Sequence, residues 1–521
     1  FHDGALYAQD SWKVRRRLAV NLGVRWEHFG VQHNADPSLD SNWYAPNVGF
    51  ADDNLGQYLR QGSIQLASKS SVGGLWKPDW KDFAPRVGVA WDVFGDGKSS
   101  LRGGYGIGYE RNFGNVTFNV NQNPPNYAVL DLSGPISTNN YGPLGAAGGA
   151  VALPTVGARI IDPNIKTAYA HFWSVSVERE VVRNVVYSVE YSGSKGVNLY
   201  SISYPNQNGF GNFALGDPCT GNSDCISQPN ANYGEAVGYR GNQGFSNYQG
   251  VNNRVTMSNF LNLGFSLTAN YTYSHATDNI SSTFFEAGGQ GVAGQFGAQN
   301  ITINNGDFYR GLLDPYHPNL DKGDADFDVR QRVTVAGNWR IPFGNTAGWL
   351  GKVLGGWSLN PLYTARSGQP FSIFDSSRQT LDLNLPRAAF VGNVPAGRNS
   401  FVRGTTPNTF HILTFLPAQI ARVSNTLTPN SAWPANMSHR NAFRGPGWWD
   451  LDLGISRDTR ITERFSLQIR AEAFNLLNHA NLYTEGLTAD VGAANTVEAC
   501  YGCSGSVSDR RQVQLGAKLI F

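Results

Sequence analysis

From Leu261 to Ser274 apolar and polar residues alternate without a break: Leu261, Leu263, Phe265, Leu267, Ala269, Tyr271 and Tyr273 against Asn262, Gly264, Ser266, Thr268, Asn270, Thr272 and Ser274. Successive side chains of a strand point to opposite faces, so this stretch reads as a strand with one oily and one wet face, and its period excludes a helix. The final residues repeat the pattern, with Val513, Leu515, Ala517, Leu519 and Phe521 on one side and Gln512, Gln514, Gly516 and Lys518 on the other. In a soluble sandwich the oily face meets a second sheet; in a bilayer-spanning barrel it meets lipid and the wet face lines a lumen.

The pattern recurs upstream often enough to decide between them. Ala5 to Val14 and Leu18 to Phe29 flank a basic turn at Arg15-Arg16-Arg17, with Leu18, Val20, Leu22, Val24 and Trp26 sharing a face. Pro85 to Phe94 and Ser99 to Tyr109 form a second hairpin, with Val87, Val89, Trp91, Leu101, Tyr105 and Ile107 outward and Arg86, Asp92 and Arg102 inward. Further hairpins are expected at Phe172 to Glu178 with Val185 to Tyr191, at Val329 to Trp339 with Trp357 to Thr364, and at Asp450 to Arg457 with Phe465 to Asn475. The total is about 13 strands. Short turns alternate with long segments near 31–82, 111–168, 194–246, 276–326, 369–447 and 478–508. That alternation predicts an all-β, antiparallel transmembrane β-barrel with short periplasmic turns, long extracellular loops and a periplasmic C-terminus. Trp12, Trp26, Trp91, Trp173, Trp339, Trp357, Trp448 and Trp449 stand near strand ends, as aromatic girdles would. The connector Phe343 to Gly356 is long enough for a short amphipathic helix.

Composition agrees. Only 15% of residues are charged while 12% are aromatic, with 60 glycines and 2 methionines, a mix poor in helix formers. No run of 18 apolar residues occurs, which excludes a transmembrane helix, yet strands of roughly 9 to 11 residues cross a bilayer without a hydropathy signal. Lys+Arg number 41 against 39 Asp+Glu, leaving no electrostatic reason to expect nucleic acid. The four cysteines form two close pairs in Gly/Asn/Ser-rich sequence, Cys219 with Cys225 and Cys500 with Cys503. Local disulfides in an oxidising compartment are expected, since neither pair has the further CxxC or nearby histidines of a zinc site.

Few residues carry candidate chemistry. Gly95-Asp96-Gly97-Lys98-Ser99 ends like a phosphate loop, but Asp92 replaces the first glycine and no helix follows, so it reads as a hairpin turn. No GxSxG or HExxH occurs, and no enzyme or cofactor is expected. Asp321, Asp324, Asp326 and Asp328 offer hard oxygen ligands for calcium; a solvated loop entering a strand is the stronger reading, because the EF-hand glycine is missing. Arg25, Glu27, Arg86, Arg102, Arg330, Arg332, Asp450, Asp452, Arg470, Glu472 and Lys518 fall on the inward face and are expected to form a cross-strand ion-pair lattice rather than to touch ligand. His479 is expected to order the junction around Asn475 and Asn478. Ligand contacts are expected from the loops at Tyr233 to Tyr248 and Phe284 to Phe308.

Several blocks resemble the barrel of TonB-dependent outer-membrane receptors, more closely the Oar-like branch with an N-terminal carboxypeptidase-regulatory-like domain. They are Tyr7-Ala8-Gln9-Asp10-Ser11-Trp12-Lys13 followed by Leu18 to Glu27, Phe83-Ala84-Pro85-Arg86-Val87-Gly88 with Arg102-Gly103-Gly104-Tyr105-Gly106, and Asp326-Phe327-Asp328-Val329-Arg330. Gly356-Trp357-Ser358-Leu359 with Ser367-Gly368-Gln369-Pro370, and Arg470 to His479, continue the series in order across nearly the whole chain. A terminal strand ending on an aromatic is similar to the assembly signal of such barrels, which makes Leu519 and Phe521 its expected carriers. The resemblance implies the C-terminal part of a barrel of about 22 strands, with the signal peptide, N-terminal domain, plug and first strands absent. It implies a bacterial outer-membrane importer of a surface-bound ligand, glycan or peptide. Its partners would be lipid, the TonB complex through the N-terminal region, and the barrel assembly machinery. A structural or adhesive surface barrel, or a passive pore, are the alternatives.

Overall fold

The computed structural model describes residues 2–46, 55–111, 157–203, 229–234, 237–281, 315–342, 355–375, 387–392, 409–420, 436–483, 490–492, 496–501 and 510–521, with a few residues between them. Its wall is an antiparallel sheet of Asp3–Arg15 (β1), Leu18–Phe29 (β2), Asp82–Trp91 (β3), Ser99–Glu110 (β4), Ala168–Val182 (β5), Val185–Ser203 (β6) and Gly238–Phe260 (β7). It continues through Phe265–Asp278 (β8), Gln331–Arg340 (β9), Trp357–Arg366 (β10), Trp448–Arg460 (β11), Ser466–Phe474 (β12) and Gln512–Ile520 (β13). These strands pair in chain order from β1 to β13, and the short strands Arg159–Ile161 and Gly323–Asp324 attach to β7 and β8. The expected strand number therefore holds. Among the described residues no pairing joins β1 to β13, so the sheet is open and these two strands are its edges.

Register shows why the alternation matters. Leu22 stands opposite Val87, Val87 opposite Tyr105, Tyr105 opposite Trp173 and Trp173 opposite Gly193, so the oily set forms a continuous face from strand to strand. The same face continues through Ala269 opposite Val335, Val335 opposite Tyr363, Tyr363 opposite Leu451 and finally Leu467 opposite Leu519. Leu6 is 70% exposed, Leu22 50% and Leu515 78%. At roughly 25 cal/mol per Å² of apolar area, leaving so wide a face in water is untenable; hydrocarbon is the solvent that suits it. The opposite face carries Asn21, Arg86, Glu190, Asn252, Thr272 and Gln514, registered away from the oily set.

One end of the wall closes with turns at 16–17, 92–98, 183–184, 261–264 and 461–465 and the longer segment 341–356. Asp92 caps the 92–98 turn, its carboxylate accepting from the Gly95 and Gly97 amides at 2.8 and 3.2 Å. Gly264 takes φ +70° in the hairpin between β7 and β8, where a Cβ would lie 2.4 Å from the Arg340 carbonyl. The expected helix in the 343–356 connector lies largely outside the described residues. At the other end the strands overrun the expected limits: β6 has 19 residues and β7 has 23. At about 3.4 Å per residue the longer one far exceeds a bilayer's hydrocarbon thickness, so its upper part stands clear of the membrane. The long segments expected at 194–246 and 276–326 shrink accordingly.

The buried core sits at that long-loop end rather than in the wall. One cluster packs Trp43, Leu55, Tyr58, Leu59, Ile160 and Tyr239, and a second packs Tyr44, Trp76, Ile161, Ile165 and Tyr200. They bring together the hairpin of Ser41–Tyr44 with Ser63–Leu66, the helix Leu55–Gln61 (α1) and the extensions of β6 and β7. A third gathers Phe371, Ile373, Phe390, Ile412, Phe415 and Val497 around a small sheet of Val402–Arg403, Thr409–Thr414, Thr496–Tyr501 and Leu482–Tyr483. The stretch Tyr233 to Tyr248, expected as a ligand-facing loop, is core and strand instead: Val237 and Tyr239 are fully buried and Tyr233 packs on Trp43 at 4.6 Å. Phe284 to Phe308 lies outside the described residues.

Candidate functional site

Two features dominate the loop end of the polar face, an arginine–aspartate clasp and the cavity beside it. The stretch from Asp321 to Asp328 is not a solvated loop: the side chains of these two aspartates are 0% and 1% exposed. Arg330, in the turn just before β9, donates from Nε to Asp328 at 2.9 Å and from Nη2 to both oxygens of Asp324 at 3.0 Å. Arg444 bonds the same two carboxylates. Asp328 also accepts from the Ala276 amide of β8 at 2.6 Å. Arg440 ion-pairs with Asp278 at the end of β8 and, at 2.8 Å, with Asp326. Arg387 reaches Asp321 and the Leu320 and Ser438 carbonyls. The segment preceding β9 is thereby tied to the segment preceding β11, across β10.

The spaced aspartates produce this fit because the short strand Gly323–Asp324 extends the segment, and Asp328 turns back to cap β8. Burial pushes the Asp324 carboxyl up, but hydrogen bonds from His275, Arg330 and Arg444 outweigh it and hold it below the ordinary value of 3.8. His275 Nε2 stands 2.8 Å from Asp324 Oδ1, and His275, Asp324 and Asp328 bring three potential ligand atoms within 4.8 Å of one another. Arg330 and Arg444 already share Asp324 and Asp328, so calcium, the weaker reading of Asp321, Asp324, Asp326 and Asp328, would meet cations at those two carboxylates.

The other charges expected inward share the polar face by register, and two of them, Arg25 and Arg470, pair along a strand rather than across strands. Arg25 pairs with Glu27 at 2.8 Å and Arg470 approaches Glu472 at 3.9 Å, each along its own strand. Such exposed pairs contribute little, about 0 to 1 kcal/mol. Arg102 donates to Ser100 at 3.0 Å, Lys518 stands opposite Gln468, and Arg470 lies across Gly516, where a Cβ would meet its Nε at 2.9 Å. Arg86 lines a cavity of about 580 Å³ with Phe172, Ser174, Ser192 and Tyr248. A second cavity, about 520 Å³, adjoins the clasp and is lined by Tyr248, Thr272, Asp328, Arg332, Thr364, Arg366 and Trp448. Trp448, expected in an outer girdle, therefore faces the polar side; its neighbour Trp449 faces outward and stacks on His479 at 4.0 Å. Asn475 holds the His479 backbone through two bonds of 2.8 Å, so the junction expected to be ordered by His479 is held by the Asn475 side chain.

Sequence reasoning missed Arg387, Arg440, Arg444, Asp278 and His275. The only trace was the pair Arg440 and Arg444, four residues apart in a segment otherwise poor in charge. Cys219, Cys225 and Cys503 lie outside the described residues, as does the side chain of Cys500, so the two expected disulfides do too.

The model of the outer membrane beta barrel domain family matches residues 1–514. The chain belongs to that family. As an outer membrane beta barrel domain it is a membrane wall and not an enzyme fold, and its oily face is the lipid contact. No curated protein matches the sequence. Among solved structures it is similar to the outer membrane transporter YddB from Escherichia coli, at 9% identity and TM-score 0.47, covering 99% of this chain and 45% of that one. The ferripyoverdine receptor of Pseudomonas aeruginosa matches at 10% identity and TM-score 0.42, over 99% and 38%. A variant of the ferric enterobactin receptor from the same organism matches at 12% and 0.42, over 99% and 44%. The chain thus spans less than half the length of these structures.

Proposed function

We propose that the chain is the C-terminal part of the wall of a TonB-dependent, Oar-like outer-membrane receptor, which binds a ligand at the cell surface and admits it when energised from the inner membrane. The carrying observation is the open sheet. Backbone groups left unpaired in hydrocarbon cost several kcal/mol each, so β1 and β13 need partner strands beyond this wall, and a wider barrel leaves room for a plug. The turns at 16–17 and 183–184 face the periplasm in this reading. The packed cores and the clasp face outward, where they give the loops a fixed shape for recognising a glycan or peptide. TonB acts through a region outside this wall, and the assembly machinery reads β13 with Leu519 and Phe521.

Cysteines introduced at Ala8 of β1 and Ala517 of β13, in an otherwise cysteine-free chain in membranes, test the reading. No intramolecular crosslink is expected. A crosslink, together with steady conductance in planar bilayers, would mean that these strands close a ring by themselves and would install the passive pore in place of the receptor.

A further inference from the structure

We propose that Arg332 and Arg366 form a binding site for the carboxylate or phosphate groups of an anionic ligand, in the cavity beside the clasp. The two arginines are direct cross-strand neighbours on β9 and β10, on the polar face of the wall. Like charges placed opposite each other repel. Arg330, Arg387, Arg440 and Arg444 nearby are each matched by aspartates. Arg332 and Arg366, among the described residues, have no carboxylate partner. The one acidic side chain lining the same cavity, Asp328, is already held by Arg330, Arg444 and the Ala276 amide. Two guanidinium groups thus face a space of about 520 Å³ without an ion pair of their own among the described residues, a volume that suits a small molecule.

The surroundings favour a bound anion over a solvated charge pair. Arg366 lies over the Trp448 ring, its guanidinium carbon 5.7 Å from the centroid, and Trp448 is its register neighbour on β11. That contact fixes the plane of one fork. Thr364 and Tyr248 add hydroxyls at the wall of the cavity. Planar guanidinium groups bond carboxylate or phosphate oxygens in pairs, and two adjacent forks select a ligand with more than one such oxygen pair.

The site deepens the receptor reading and rests on it for access from the lumen, but binding is measurable without transport. The full chain in detergent is titrated calorimetrically with succinate and, separately, inorganic phosphate at low ionic strength. At least one probe is expected to bind, and the preferred one tells carboxylate from phosphate. Arg332→Gln and Arg366→Gln are each expected to weaken binding by about tenfold or more, while Arg254→Gln, lower on the same face, leaves it unchanged. No binding of either probe to chain whose far-ultraviolet circular dichroism shows the strands formed overturns the proposal. So does equal weakening by Arg254→Gln, which would reveal a diffuse field instead of a site. Retained binding in a chain that conducts as an open pore would overturn the receptor reading and leave this site standing.

Discussion

Arg387 is ion-paired with Asp321, 66 residues earlier in the chain, and the two side chains are 2% and 0% exposed. A charge pair this deep is held by its completeness, with Arg387 also bonded to the Leu320 and Ser438 carbonyls. Removing one partner strands the other in a low-dielectric surrounding. Asp321→Ala or Arg387→Ala is expected to destabilise the loop end by about 3 to 5 kcal/mol, whereas an apolar pair of matched volume costs far less. Denaturant titration of the single and double variants, followed by protease cleavage in the 315–330 segment, checks this.

The clasp should loosen in acid. Asp324 has a folded-state value below its ordinary 3.8, so its contribution is complete above that value and is lost as pH falls through the depressed one. The Asp324 contribution is expected to be lost below its ordinary 3.8, while Asp278, whose carboxyl burial pushes up despite Arg440, titrates above that value with the opposite sign. Amide exchange at Phe327 and Val329 reads the transition, and Asp324→Asn should be less protected at neutral pH and show a weaker acid dependence. An unchanged profile in that variant would mean that Asp324 does not hold the clasp.

The two faces of β13 should tolerate charge unequally. Leu515 is 78% exposed on the oily face, and Leu515→Arg is expected to cost about 2 to 4 kcal/mol if it sits near the bilayer midplane. Gln514→Arg, on the polar face, should assemble normally. Leu519→Asp and deletion of Phe521 are expected to lower assembly as well. The yield of heat-modifiable barrel in membranes compares all four.

Cys219 with Cys225 and Cys500 with Cys503 should be disulfide-bonded in protein from an oxidising compartment, because each pair is close in sequence. Non-reducing peptide mapping should recover each pair as one crosslinked species. Four free thiols would defeat the expectation.

The wall was legible in the sequence because a strand's two faces are written in its own alternation. Phe265 to Tyr273 specifies an oily side wherever the strand is placed, and a one-residue slip would turn it to the wrong solvent; Leu261 to Gly264, which continue the same alternation, form the hairpin turn instead, with Leu261 and Asn262 at positive φ. The placement of Arg25, Arg86, Arg102, Arg332, Arg470, Glu472 and Lys518 on the polar face followed from the same parity. What those charges meet did not, because partners in the loops are set by contacts between segments far apart in sequence. Arg440 lies 162 residues from Asp278, and no local period records such a distance. The aspartates before β9 read as solvated until tertiary structure brought Arg387, Arg440 and Arg444 against them. Trp448 turned inward because strand phase, rather than nearness to a strand end, decides which face a tryptophan takes. Sequence alone determined the sheet and its two faces; contacts of the long segments decided which charges are neutralised, as Arg387 is by Asp321, and which, like Arg332 and Arg366, face a cavity without a carboxylate partner among the described residues.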